Sequence, residues 1–427
     1  VLKKYPVALY ALWLIALLIW PLPLVILLNT EMRASALAQL RLIDAGVIAY
    51  AWWLFEVFLA TRPQWLDRKI GLPATYFMHS LLGFGALILA FFHRHYLVTM
   101  GRAIQLTGDW AWYLTIFGLI YAAVFLSGWL VDRVPVVAGI KQRWQHFFKH
   151  QFSIWVHRLN LVVILLIWSH VHLIGRINNH LGFMITFDLY TVVILGAYLW
   201  QKWLQPQATM KGQVLYRESI NATTEKIGIQ LNQPKKNIMV GDYFFFTFPE
   251  ISKEAHPFSI TNTPNKQQQI ELMVRTLGDY TKQLPQLEPG SAVLAEGPFG
   301  RFGSSLKETG SRPLVLIGMG AGVAPLLSIV QTYRNQRPIR VLWTVKTEAD
   351  LNLGTVFQNV KSDQFKFHQQ IGRLTAGQLK ALITDEERQQ ALFITVGPAA
   401  AVLSLEKQLH QQLGIAKKQL IDERLTL

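Results

Sequence analysis

Cysteine is absent from this 427-residue chain, which excludes a disulfide framework and any thiolate-bound metal. Acidic residues are scarce: 26 Asp and Glu stand against 41 Lys and Arg, a formal net charge of +15 and a sequence pI of about 9.8. Such basicity reads as orientation in, and contact with, an anionic membrane surface rather than as nucleic-acid binding. No internal repeat, low-complexity segment or Asp-x-Asp-x-Asp-Gly calcium loop occurs, so regulation by calcium is not indicated. The chain opens on Val1 rather than Met, which fits an alternative start or a trimmed chain.

What the chain does hold is apolar sequence. Hydrophobic residues make up 51% and the mean hydropathy is +0.26, too apolar for an ordinary soluble protein. They crowd into the first half as six runs: Val7–Leu28, Ala45–Ala60, Ala74–Leu97, Trp110–Val131, Phe152–Ile174 and Phe183–Leu204. A membrane helix needs roughly 20 apolar residues, and all but the second reach that length. The first run is too long, and too soon followed by another, for a cleaved signal peptide. Lys3, Lys4, Arg62, Arg68, Lys69, Arg133, Lys141, Arg143 and Lys149 fall on one side of a six-span topology. The opposite loops carry fewer, mainly Arg33, Arg41, Arg102 and Arg176. An excess of cationic residues marks the cytoplasmic side, so both termini are expected there.

Within the third and fifth runs lie His79 and His93, then His157 and His170. The first pair is 14 residues apart, or roughly 21 Å along a helix axis. Imidazole is a good haem-iron ligand, and polar rings at membrane depth usually have a function. A single histidine near a membrane edge is unremarkable, but four at matching depths on two helices are hard to explain that way. The spacing points to two bis-histidine haems stacked through the bilayer.

After Gln205 the composition changes. Gly212–Ile220, Glu225–Leu231, Asp242–Pro249, Pro257–Thr261, Gln269–Leu277 and Ala292–Glu296 are short β-type runs separated by turn residues, the pattern of a small antiparallel barrel. From Arg312 onward, Pro313–Met319, Ile339–Val345, Gln364–Gln369 and Ala391–Val396 read as buried parallel strands, with helices such as Pro325–Arg334 and Ala399–Leu413 between them. That is a doubly wound α/β domain. The expected division is 1–208 for a six-helix transmembrane di-haem domain, 209–306 for the barrel and 307–427 for the α/β domain.

In Gly318-Met-Gly320-Ala-Gly322-Val-Ala-Pro325 a glycine-rich turn follows an apolar strand and opens a helix. Missing side chains let backbone approach a pyrophosphate at the positive helix N-terminus. The segment His256-Pro257-Phe258-Ser259-Ile-Thr261 resembles the flavin motif of the ferredoxin-NADP reductase superfamily, in the variant found in NADPH oxidases and ferric reductases. The resemblance implies that Phe258 lies against the isoalloxazine of FAD, that Ser259 reaches its N5 edge, and that His256 stands near the pyrophosphate. Arg275-Thr-Leu-Gly278-Asp-Tyr-Thr281 resembles the second flavin segment, where glycine and a hydroxyl hold phosphate. Glu296-Gly-Pro-Phe-Gly300 and Val396-Gly397-Pro398 complete the pattern. Val396 stands where the family often has cysteine, and the ending Arg424-Leu-Thr-Leu427 lacks the usual flavin-stacking aromatic. Lys346 and Arg373 fall where oxidase relatives bind the 2′-phosphate, which favours NADPH over NADH because that dianion needs cations.

The whole chain thus resembles the NADPH oxidase and ferric reductase superfamily, most like a compact bacterial oxidase. The resemblance implies that His79 pairs with His157 on an inner haem and His93 with His170 on an outer one. Straight-helix geometry favours another outer ligand. A 13-residue step from His157 to His170 misses the same face by about 140°, whereas His172 misses by about 60°. The family pattern is followed, with local winding expected to make up the rotation. His95 is a weaker rival to His93, Arg94, Arg158 and Arg176 are candidates to neutralise haem propionates, and Glu56 reads as interfacial.

The expectation is an integral protein of a bacterial plasma membrane, its reductase domains cytoplasmic. Electrons would pass from NADPH through FAD and two b-type haems to molecular oxygen, giving superoxide. The lack of oxidisable thiols fits that product. A ferric chelate is the alternative acceptor, with His95, His172 and His180 as an outer metal-contacting patch. A reading of another class is a non-catalytic haem-binding subunit, against which the flavin and nucleotide motifs in the same chain argue. Membrane lipid is an expected partner, and neither nucleic acid nor an obligatory protein partner is indicated.

Overall fold

The computed structural model describes residues 7–32, 37–98, 101–126, 134–144, 150–204, 210–232, 237–263, 265, 267, 269–358, 360 and 362–425. Of the residues used above, Val1, Lys3, Lys4, Arg33, Val131, Arg133, Lys149, Gln205, Thr426 and Leu427 lie outside them. The chain divides into two compact units.

Among the described residues, one unit holds six helices long and apolar enough to cross a membrane: Val7–Glu31, Gln39–Ala60, Leu72–Tyr96, Arg102–Phe125, Phe152–Leu173 and Leu181–Lys202. The second is not short. It begins at Gln39, six residues before the apolar run, because the helix carries on through Arg41 and Asp44; Asn29 of the first helix donates to Asp44 at 2.8 Å. Two helices are locally irregular. The first winds as a π-helix over Ile15–Ile19 just before Pro21, whose ring nitrogen has no hydrogen to give. The fifth is interrupted at Leu159, between the segments His150–Arg158 and Asn160–Leu173. There the N–H of Leu159 reaches the carbonyl of Val156 and the N–H of Val162 that of Leu159. These three-residue bonds wind the chain more tightly than an α-helix. Leu28, Tyr50, Leu54, Phe183 and Phe187 form part of the core.

The other unit gathers Gln207–Leu427 with a segment from between the second and third membrane helices, Gln64–Gly71. Six strands form one antiparallel sheet: β1 Met210–Asn221, β2 Thr224–Leu231, β3 Tyr243–Thr247, β4 His256–Ser259, β5 Gln269–Arg275 and β6 Ala292–Phe299. Their order is β4-β3-β6-β1-β2-β5, and a single bridge, Ile260 to Leu272, links the two ends of that order. Alternation sends Phe244 and Phe246 of β3 into the core. Five parallel strands follow: β7 Leu314–Met319, β8 Ile339–Val345, β9 Phe365–Ile371, β10 Leu392–Pro398 and β11 Leu420–Leu425, in the order β11-β10-β7-β8-β9. Every residue of β8 is buried, as expected of a sheet covered on both faces. Strand order reverses between β7 and β10, and a crevice outside that switch point is where such sheets take ligands.

Candidate functional site

In the membrane unit the four histidines form two facing pairs. His79 and His157 have ring centroids 5.8 Å apart at an interplanar angle of 65°. His93 and His170 stand 6.4 Å apart at 72°. Two metal–imidazole bonds of about 2 Å each, with the ring radii added, separate ring centres by roughly 6 Å. Both pairs therefore fit one metal ion held between two rings. In the outer pair the ring nitrogens fit as well. His93 Nδ1 lies 2.9 Å from the Leu42 carbonyl, and His170 Nδ1 lies 2.9 Å from the Ile104 carbonyl. A carbonyl only accepts, so the proton sits on Nδ1 and Nε2 keeps its lone pair for a metal.

Glycines make room for these rings. A Cβ on Gly46 would stand 2.5 Å from His93 Nδ1, and one on Gly108 would stand 3.2 Å from the His170 ring. His172 turns elsewhere: its ring packs on Trp168 at 4.1 Å, and its Nε2 is 3.3 Å from Asp188. The tight turn at Leu159 winds in the direction that the 13-residue step requires. His95 stacks on Phe91 and His180 pairs with Glu31 at 3.7 Å, so His95, His172 and His180 engage three different partners. Arg94 is held by Asp109 at 2.8 Å, and Arg158 lies over Trp155. Glu56 packs against a neighbouring helix: a Cβ on Gly83 would stand 2.8 Å from its Oε1, which is buried.

In the sheet unit, β4 carries His256, Pro257, Phe258 and Ser259, with Ser259 opposite Tyr243. Beyond it Thr261 gives its N–H to the Glu271 carbonyl at 2.9 Å, tying the motif to β5. The second flavin segment returns beside the first. Tyr280 stacks on His256, centroids 3.7 Å apart, and lies 6.5 Å from Phe258; its hydroxyl is pushed up to about 12, burial being the main cause. Gly278 N–H donates to Thr281 Oγ at 2.9 Å, which closes the turn that leads into a short helix. Arg275 does not join this group. It forms an ion pair with Asp350 of the α/β domain, in a cleft also lined by Thr224, Met273, Gly320 and Trp343.

That cleft opens beside the turn after β7, against the end of β8. Gly320 adopts φ of +58°, a left-handed conformation that glycine takes without steric cost. The helix Ala324–Tyr333 follows, with Pro325 in its first turn where a missing N–H costs nothing. Gly322 lies against the Val396 carbonyl, and a Cβ on Gly397 would stand 2.7 Å from the Met319 side chain. Gly318 is packed less tightly, a Cβ there standing 3.2 Å from Leu326 and Val323. The turn after β7 and the Gly397-Pro398 end of β10 thus meet as bare backbone. Lys346 and Arg373 follow the neighbouring strands β8 and β9, whose ends pair Val345 with Ile371, and both are exposed.

Local sequence gave no sign of a further cluster. The helix Gln64–Ile70 packs on the sheet: Arg68 forms an ion pair with Asp242, Gly300 N–H donates to Asp67 at 2.7 Å, and Gln64 donates to the Gly297 carbonyl at 2.8 Å. Burial pushes Asp242 up to about 6 against the pull of Arg68. Glu423 on β11 goes up to about 8, by burial first and then by Asp67, with Arg301 opposing.

Comparison with known proteins bears on this arrangement. A family model described as FAD-binding domain matches residues 213–302. The chain is 29% identical over 191 residues to the naphthalene 1,2-dioxygenase system ferredoxin–NAD(P)(+) reductase component of Pseudomonas putida, covering 42% of this chain and 56% of that protein. It is 29% identical over 144 residues to the propane 2-monooxygenase reductase component of Mycolicibacterium goodii, covering 32% and 41%. Over 201 residues it is 27% identical to respiratory burst oxidase homolog protein D of Solanum tuberosum, covering 37% of this chain and 23% of that protein. The chain therefore spans from about a quarter to just over half the length of these relatives. The matches support flavin-dependent electron transfer from NAD(P)H through FAD, and an NADPH oxidase or ferric reductase-type superfamily.

Proposed function

We propose that this chain is a transmembrane NADPH oxidase, carrying electrons from NADPH through FAD and two b-type haems to molecular oxygen and giving superoxide. The observation that carries the reading is the pair of facing imidazoles at each of two depths, 5.8 and 6.4 Å between ring centres. FAD accepts two electrons together and releases them singly, and each haem iron carries one.

The chain's own residues do the holding and the placing. His79 with His157, and His93 with His170, each hold one iron, and the carbonyls of Leu42 and Ile104 keep the outer two rings in the ligating tautomer. Phe258 and Ser259 seat the flavin, with His256, Pro257, Thr261, Gly278 and Thr281 around it. Arg275, paired with Asp350, closes the cleft from the flavin side. Gly318, Gly320, Gly322 and Pro325 receive the nucleotide pyrophosphate, Lys346 and Arg373 the 2′-phosphate, and Gly397-Pro398 the nicotinamide. In this reading the sheet unit is cytoplasmic, its first sheet closes into the flavin barrel, and oxygen is reduced on the opposite side.

The test is cytochrome c reduction by the purified, haem- and FAD-loaded chain with NADPH. Superoxide dismutase should abolish most of the signal. Rapid ferric-chelate reduction without a dismutase-sensitive signal would contradict the oxidase reading and favour a ferric reductase.

A further inference from the structure

Three of the four histidines have a polar partner at Nδ1, and the partners differ in kind. His93 and His170 face backbone carbonyls, at 2.9 Å each. His157 faces a side chain: the carboxamide of Asn160, whose Nδ2 lies 3.4 Å from His157 Nδ1. His79 Nδ1 is buried without a hydrogen bond of ordinary geometry, with the Glu56 backbone beside the ring.

Asn160 sits three residues beyond His157, at the start of the segment that follows the break at Leu159. It fits against Gly118 of the fourth membrane helix, where a Cβ would stand 2.9 Å from its Oδ1. A carboxamide inside a membrane helix is costly unless it is engaged. Here the bare backbone of Gly118 makes its seat. The group presents either Oδ1 or Nδ2 on the same footprint after a half-turn about its last bond. A histidine bound to iron through Nε2 carries its proton on Nδ1, and the atom that proton needs is Oδ1.

We propose that Asn160 is the positioning residue of the inner haem site. Its carboxamide oxygen accepts the Nδ1 proton of His157, fixes that ring, and raises the electron density the ring gives to iron. The inference rests on the bis-histidine reading above. It adds an asymmetry: the outer ligands are set by main-chain carbonyls, while an inner ligand is set by a replaceable side chain. An acceptor at Nδ1 makes imidazole a stronger donor and favours ferric over ferrous iron, so its loss raises the potential.

The experiment compares the full-length, haem-loaded chain in detergent with Asn160→Leu and Asn160→Asp. Haem per chain, both midpoint potentials and the low-spin electron paramagnetic resonance signals are read. With Asn160→Leu, one of the two potentials should rise and the other stay. With Asn160→Asp, the same potential should fall, because a carboxylate is the stronger acceptor. The shift should persist in a His170→Ala background, which retains the inner haem alone. If Asn160→Leu instead sheds the inner haem, Asn160→Asp should keep it. Two haems whose potentials and resonance signals are indifferent to residue 160 overturn the inference alone. A wild-type chain that binds no haem overturns the bis-histidine reading and this inference together.

Discussion

His170 faces His93 with 6.4 Å between ring centroids, while His172, two residues further along the same helix, points its Nε2 at Asp188. The tight turn at Leu159 separates His157 from both and lets His157 and His170 meet partners on one helix. His170→Ala should therefore lose one haem per chain, and His172→Ala should keep both. Pyridine haemochromogen counts on the two purified variants check this, and the reverse pattern would make His172 the ligand.

Gly46 lies so close to the His93 ring that an alanine there requires something to shift. Overpacking of this kind costs about 1–3 kcal/mol, and the ring would lose its Leu42 carbonyl. Gly46→Ala should perturb the outer haem signal and leave the inner one unchanged. Gly108→Ala, with 3.2 Å to the His170 ring, should do so more weakly.

Arg68 is the cation against a fully buried Asp242. Removing one partner of a buried ion pair leaves a charge without compensation and costs about 3–5 kcal/mol. Arg68→Ala should lower thermal stability by that order, read as unfolding monitored by flavin release. The double variant Arg68→Ala, Asp242→Ala should lose less than the two single losses added, since the residues interact directly. Strict additivity would mean that the pair contributes nothing as a pair.

Glu423 keeps its proton in the folded chain to about pH 8, whereas its ordinary value is 4.5. Its stabilising contribution is complete below the ordinary value and is lost as pH rises through about 8. Asp242, at about 6 against 3.8, acts with the same sign over the lower part of that window. Stability should fall between pH 6 and 8 with a slope of up to roughly 1.4 kcal/mol per unit. Glu423→Gln should flatten the curve in that range, and thermal melts across the pH series measure it.

The membrane helices were legible because an apolar run of about 20 residues has few other uses. Their limits were less so. The second starts at Gln39 rather than Ala45, since a helix extends through Arg41 and Asp44 once Asn29 holds the carboxylate. The fourth starts at Arg102 rather than Trp110 for the same reason: hydropathy marks the apolar part of a helix, not its hydrogen bonds. The strand β11 was missed because Asp422-Glu423-Arg424 hides its pattern. Arg275 stands by sequence in the segment that resembles the second flavin motif, and only tertiary structure brings Asp350, 75 residues away, to meet it. The segment Gln64–Ile70 was beyond reach for that reason too. Its partners Asp242 and Gly300 lie some 170 to 230 residues on, and nothing in seven charged and apolar residues announces them.

The central claim is that NADPH, through the chain's own flavin, reduces iron held by the two histidine pairs. The direct measurement is an anaerobic reduced-minus-oxidised spectrum of the purified chain, loaded with FAD and expressed with ample porphyrin, before and after NADPH. Soret and α bands of b-type haem, at two haems per chain and reduced without added protein, are the predicted result. A chain with no Soret absorption, or with haem that NADPH leaves oxidised, would contradict the account.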